Sequence, residues 1–246
     1  MSVRLHLVRH GRAAAGWNVD RDPVLDDLGK EQSVGVAQRL VGLGPLPVYS
    51  SPLRRCQETS GPLSAMWNTT PTIEPRVAEI PSPVGIALEE RVDWLRVAMA
   101  GTWTQLGISD GDVYTQYRRD LLDTLAAMPH DAVIFSHFIA INVVIGEALS
   151  DDRLVVKSLD NCSVTSVLVH EGTFTIEEMG RVCTKIIEKV AVVLENRDAE
   201  MALEIEKDDD EMDRLHRKII STLLEPNWKH GVETAIDMTL LGRYYE

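Results

Sequence analysis

Three short stretches put cationic or protonatable side chains where an apolar run ends. "LHLVRHGR" (5–12) sets Arg9 and His10 before Gly11, "YSSPLRRCQET" (49–59) sets Arg54 and Arg55 after a brief apolar run, and "VIFSHF" (133–138) closes on His137. A guanidinium offers a planar fork of donors matched to phosphate oxygens. An imidazole can serve as nucleophile, donor or acid near neutral pH. One Arg-His-Gly proves little in a chain of 246 residues. Three such groups at three strand ends describe a pocket for a tetrahedral oxyanion, and Gly11 would let the backbone turn tightly beside the bound group.

The elements that must carry these residues alternate. "VRLHLV" (3–8), "PVYSS" (47–51) and "AVIFS" (132–136) read as strands. Residues 28–43 have helical apolar spacing, residues 52–66 begin with Pro52 at a first helical turn, and 86–106, 113–128 and 138–149 read as helices. "SVTSVLVH" (163–170) and "TFTIEEM" (173–179) alternate apolar and polar about Glu171-Gly172, as a closing hairpin does. Strands alternating with helices predict a mostly parallel sheet covered on both faces, with ligands at the strands' carboxyl ends. After about residue 180 the strand signal stops, and three stretches of helical spacing run to residue 246. The predicted organisation is therefore an α/β domain over 1–180 and an all-helical segment over 181–246.

Composition narrows the function classes. The formal net charge is −13, which argues against a broad nucleic-acid surface and against adsorption to anionic lipid. The longest apolar stretch, 132–149, is interrupted by Ser136, His137 and Asn142 and is no membrane span. The N-terminal apolar run is too short for a signal peptide. Cys56, Cys162 and Cys183 lie far apart without metal-ligand spacing and read as reduced thiols. A cytoplasmic protein is the expectation.

"LVRHGR", "SSPLRRCQET" and "VIFSHF" together resemble the three signature stretches of the histidine phosphatase superfamily, the phosphoglycerate-mutase-like group with the RHG motif. "DPVLDDLGKEQ" (22–32) is similar to the segment that follows the first motif. The resemblance covers residues 3–180 and implies a three-layer α/β sandwich. It implies His10 as a nucleophile that becomes a phosphohistidine, with Arg9, Arg55 and His137 binding the phosphoryl oxygens. Glu79, in "RVAEIPSP", would be general acid and then general base, and Arg54 is the less suited of the arginine pair. No cofactor or metal is implied for this domain, and the partner is a small phosphomonoester. After RHG the group's mutases carry a polar stretch, whereas this chain has "RAAAGWN" (12–18), which favours hydrolysis over phosphoryl transfer between hydroxyls. A phosphoglycerate-mutase-like phosphotransferase is the alternative of that class.

"KDDDEMDRLHRKI" (207–219) spaces Asp209 and Asp213 four apart, on one helical face. Such a pair is a solvated acidic face or a set of oxygen ligands for a hard cation or iron. Residues from about 181 to 246 resemble part of the second repeat of the PhoU phosphate-uptake regulators, whose metal-associated motif Asp209 and Asp213 fit. That resemblance implies a metal ion there and a protein partner or self-association through the C-terminal helices. It also supplies a non-enzymatic alternative, a phosphate-signalling regulator.

Overall fold

The computed structural model of the chain describes residues 2–16, residues 18–176 and Asp213. The chain divides into a compact unit over Met1–Ile176 and a second over Glu177–Glu246. Within the first unit the strands are β1 (Ser2–Arg9), β2 (Val48–Ser50), β3 (Thr72–Ile73), β4 (Ala132–Ser136), β5 (Val164–His170) and β6 (Thr173–Ile176). The helices are α1 (Asp27–Leu40), α2 (Arg54–Met66), α3 (Arg91–Met99), α4 (Trp103–Asp110), α5 (Asp112–Ala126) and α6 (Phe138–Leu149).

The six strands form one sheet in the order β3-β2-β4-β1-β5-β6. β3, β2, β4 and β1 run parallel, while β5 pairs antiparallel with β1 and β6 with β5. The predicted mostly parallel sheet with a closing hairpin is therefore present. Its hairpin turn uses positive φ at both Glu171 and Gly172, the geometry that suits the twist of the flanking strands.

Side-chain alternation along the central strands builds the layers. Ala132 and Ile134 of β4, with Leu5 and Leu7 of β1, face the larger core that α5 and α6 cover. Val133, Phe135 and Val8 point the other way, into a smaller core with Val36, Ala37 and Leu40 of α1 and Leu63 of α2. The result is an α/β/α sandwich in which β1 and β4, at the middle of the sheet, are covered on both faces.

Two expected elements differ. Residues 86–106 are not one helix, because α3 ends at Met99 and α4 starts at Trp103. Thr102 and Gln105 form a reciprocal capping box, a local pairing that starts a new helix better than it continues an old one. Pro52 stands before α2 and outside its first turn; the helix starts at Arg54 after an extended Leu53. Among the described residues no helix is long and apolar enough to cross a membrane. The expected C-terminal helices and Asp209 lie outside the described residues, and Asp213 is helical and exposed.

Candidate active site

The parallel register brings the three motifs to one edge. β1 and β4 pair Arg9 with Ser136, and β2 and β4 pair Ser50 with Phe135, so His10, Ser51 and His137 each follow a strand at the same level. Backbone bonds hold this level, with His10 N–H on Ser136 C=O at 3.0 Å and Ser51 N–H on Phe135 C=O at 2.9 Å. Arg55 enters from the first turn of α2.

Gly11 serves a close approach. A Cβ there would meet Gly29 C=O at 2.6 Å, and a Cβ on Gly29 would meet Arg12 C=O at 2.1 Å. The turn after His10 therefore crosses the start of α1 backbone to backbone. It is fixed by Gly11 N–H donating to Thr59 Oγ1 at 3.0 Å, by the Thr59 hydroxyl donating to Arg55 C=O at 2.5 Å, and by Asn161 Nδ2 donating to His10 C=O at 3.0 Å.

His10 is 8% exposed. Its Nδ1 lies 2.8 Å from Gly11 C=O, and a carbonyl only accepts, so the ring proton is on Nδ1. The lone pair of Nε2 then faces Arg55, whose Nε donates to it at 3.1 Å. Burial first, and then the Arg55 charge, push the His10 pKa down to about 3. The neutral ring with a free-electron-pair Nε2 is the form a nucleophile needs.

Arg55 is 2% exposed and His137 is fully buried. Arg55 Nη2 donates to His137 Nδ1 at 3.1 Å, which leaves the proton on Nε2, 2.8 Å from Ser51 Oγ. Burial first, and then Arg55, hold the His137 pKa well below its ordinary value. The two imidazoles meet edge to face at 5.2 Å. In this arrangement His137 spends its N–H on Ser51 and its lone pair on Arg55. Cys56, also fully buried, sits beside it with Sγ 3.3 Å from Nε2, and burial pushes that thiol up, out of reactive range.

Arg9 is half-buried. Its Nη1 donates to Leu159 C=O, and its guanidinium carbon lies 5.0 Å from the Phe138 ring centroid. Two guanidinium nitrogens of the site, Arg9 Nε and Arg55 Nη1, are buried with no hydrogen-bond partner. Such donors cost roughly 1–3 kcal/mol each when unsatisfied, and an oxyanion would satisfy both.

Glu79 reaches the same region from the loop after β3. Its Oε1 accepts from Ile80 N–H at 3.1 Å and from Ile139 N–H at 3.2 Å, so the carboxyl rests on the first turn of α6, two residues past His137. Burial is the largest influence and raises its pKa, against the opposing pull of the backbone donors and of Arg55. Arg54 is exposed. Arg12 pairs with Asp26 at 2.5 Å, its side chain 56% exposed.

The structure thus brings together Arg9, His10, Arg55, Glu79 and His137. Sequence reading missed Ser51, Thr59 and Asn161. The first two stood inside a quoted motif, but their roles depend on partners 86 and 48 residues away. A groove of about 350 Å³ lined by Arg118, Arg119, Asp123, Glu147 and Phe174 shares none of these residues.

Residues 5–181 match the Histidine phosphatase superfamily (branch 1), and residues 176–246 match the PhoU domain. The C-terminal part is similar to the phosphate-specific transport system accessory protein PhoU homolog 1 of Mycobacterium leprae, 45% identical over 80 residues, 32% of this chain and 36% of that protein. The chain spans about a third of that relative's length. The N-terminal part is similar to the probable phosphoglycerate mutase GpmB of Yersinia pestis, 27% identical over 69% of this chain and 86% of that protein. Among solved structures, a mycobacterial glucosyl-3-phosphoglycerate phosphatase in complex with VO3 superposes with a TM-score of 0.55 at 22% identity, over 71% of this chain and 97% of its own. That likeness is one of fold.

Proposed function

The chain belongs to the histidine phosphatase superfamily, and from its site we propose that it hydrolyses small phosphomonoesters through a phosphohistidine on His10. The observation that carries this reading is the pair of buried, unpartnered guanidinium donors, Arg9 Nε and Arg55 Nη1, beside a neutral imidazole with its lone pair on Nε2. Donors without acceptors next to a nucleophile suit a phosphoryl group.

In the first step the phosphoryl group enters and Arg55 shifts its Nε donor from His10 Nε2 to an oxygen. Nε2 attacks phosphorus, the N–P bond forms and the P–O ester bond breaks. The leaving alkoxide takes a proton from Glu79, whose protonated form burial favours. In the second step the Glu79 carboxylate takes a proton from water, and that water attacks phosphorus. The N–P bond then breaks, leaving phosphate, neutral His10 and protonated Glu79. Arg9 and Arg55 neutralise charge on the equatorial oxygens throughout, neutral His137 donates its N–H to one of them on giving up Ser51 Oγ, and positioning supplies most of the remaining acceleration. No metal takes part in these steps.

The PhoU match favours a tie to phosphate regulation. In this reading the C-terminal segment takes a protein partner or a second copy of itself, and Asp209 and Asp213 offer oxygen ligands to a metal ion. A purely regulatory phosphate binder needs no turnover. The discriminating experiment measures phosphate release from a panel of phosphomonoesters by the native chain and by His10→Ala. Release that is lost in the variant supports the hydrolase. Binding of phosphate with no release from any ester supports the regulator.

A further inference from the structure

The residue proposed as general acid stands in a loop, where backbone freedom works against aim. Glu79 lies in the connection between β3 and α3, whose regular structure is a single turn of helix over Pro75–Val77. Proton transfer needs the carboxyl at hydrogen-bond distance from the leaving oxygen, and a misplacement of about 1 Å can cost roughly 10²-fold. Three elements of the sandwich hold this stretch. Ser136 Oγ, at the end of β4, donates to Val77 C=O at 2.7 Å. The Tyr117 hydroxyl, on α5, donates to Ala78 C=O at 3.0 Å. Ile139 N–H, on α6, donates to the Glu79 carboxyl at 3.2 Å.

Packing fixes the direction of the Tyr117 hydroxyl. The ring lies against the larger core, to which Val77 and Ile80 belong, and over Trp103 of α4, with ring centroids 6.1 Å apart at 31°. The next residue of α5, Arg118, pairs with Glu147 of α6 at 3.1 Å. The helix that holds the Ala78 carbonyl is thereby fastened to the helix that holds the Glu79 carboxyl. Burial first, and then the Glu79 charge, push the Tyr117 pKa well above its ordinary value, so the hydroxyl stays a donor. Ser136 also takes the His10 N–H on its own carbonyl, and Ile139 acts through its backbone. Of the three donors, Tyr117 is the one that a single substitution removes without touching the strand and helix ends that carry His10 and His137.

We propose, resting on the hydrolase reading above, that Tyr117 is a positioning residue for Glu79. Through the Ala78 carbonyl, its hydroxyl fixes the backbone from which the acid reaches the leaving oxygen. Without that hydroxyl Ala78 C=O loses its donor, and the carboxyl samples positions from which the alkoxide gains no proton. The effect is confined to esters whose leaving group needs the proton.

The test is steady-state phosphate release by the full chain from β-glycerophosphate, an alkyl ester, and from para-nitrophenyl phosphate, whose leaving group needs little protonation. Tyr117→Phe keeps the ring and its stack on Trp103 and removes the hydroxyl. The quantity read is the ratio of kcat/KM for the alkyl ester to that for the aryl ester. Both are measured on one preparation, so any misfolded fraction cancels. The ratio is expected to fall about threefold to tenfold in Tyr117→Phe, the range of one hydrogen bond. The loss should lie in kcat with KM unchanged, as for an interaction made only in the transition state. In a Glu79→Gln background Tyr117→Phe is expected to lower the ratio no further, because the hydroxyl acts through the carboxyl. A ratio unchanged in Tyr117→Phe, or lowered by the same factor in the Glu79→Gln background, overturns the positioning role and leaves Glu79 as the acid. A ratio unchanged in Glu79→Gln itself overturns the acid role and that of Tyr117 with it. A native chain that releases phosphate from neither ester overturns the hydrolase reading.

Discussion

His10 and Glu79 are tuned in opposite directions by the same burial, and each direction suits the task proposed for it. The depressed His10 pKa, about 3, keeps the nucleophile neutral through the acid range. The raised Glu79 pKa favours the protonated form that the proposed general acid needs. The profile of kcat/KM should therefore fall on its alkaline side as Glu79 loses its proton, and Glu79→Gln should abolish that limb. Loss of a general acid costs about 10²–10⁴-fold. The deficit in Glu79→Gln should be large for alkyl phosphates and small for an aryl phosphate, whose leaving group needs little protonation. Equal deficits on both esters would remove Glu79 from the acid role. Stability carries the same signature. The unfolded chain protonates His10 below its ordinary value of 6.5, whereas the folded chain resists until about 3. Protons then favour the unfolded state between those limits, by about 1.4 kcal/mol per pH unit for each proton. Urea unfolding measured from pH 7 down to 4 should show stability falling with pH, less steeply in His10→Gln.

The elements that hold the site are tied by contacts a linear reading does not display. Gly11 and Gly29 stand 18 residues apart in the chain, yet Gly11 leaves room for the backbone of Gly29 and Gly29 for that of Arg12. Gly29→Ala drives a methyl into Arg12 C=O. It should cost roughly 1–3 kcal/mol, as overpacking does, and should lower activity by shifting the turn after His10. Urea titration and steady-state rates check both parts. The three motifs were legible because each is local: an apolar run, a turn and a charged residue at fixed spacing. Their convergence was legible too, since parallel strands put their carboxyl ends at one edge. Ser51, Thr59 and Asn161 were not, because a hydroxyl or amide shows its purpose only through a distant partner. The break between α3 and α4 had a readable signal in Thr102 and Gln105, but the apolar spacing of 86–106 masked it. β3, two residues long, carries too little pattern to stand out.

At the scale of the whole molecule, one chain joins a histidine phosphatase domain to a stretch matching the PhoU domain. The compact unit closes at Ile176, on the β6 strand that completes the sheet, and the PhoU match begins at that same residue. Sequence reading located the change of character from the end of the strand signal, but "EEMGR" (177–181) suits either side of the junction. The proposed metal ligands, Asp209 and Asp213, lie outside the residues that match the phosphatase family, and the proposed bond-breaking uses only His10, Glu79, His137 and the two arginines, so a chelator should separate the two. Phosphate release should be unchanged by EDTA, whereas loss of activity that added metal restores would place a metal in the reaction.

The proposed covalent phosphohistidine on His10 can be trapped. The full chain is mixed with a ³²P-labelled phosphomonoester and quenched within its first turnovers, and the labelled peptide is mapped. Acid-labile, alkali-stable label is expected on the peptide containing His10, absent in His10→Ala. Phosphate release with no labelled protein, or label that persists in His10→Ala, would contradict the proposed intermediate.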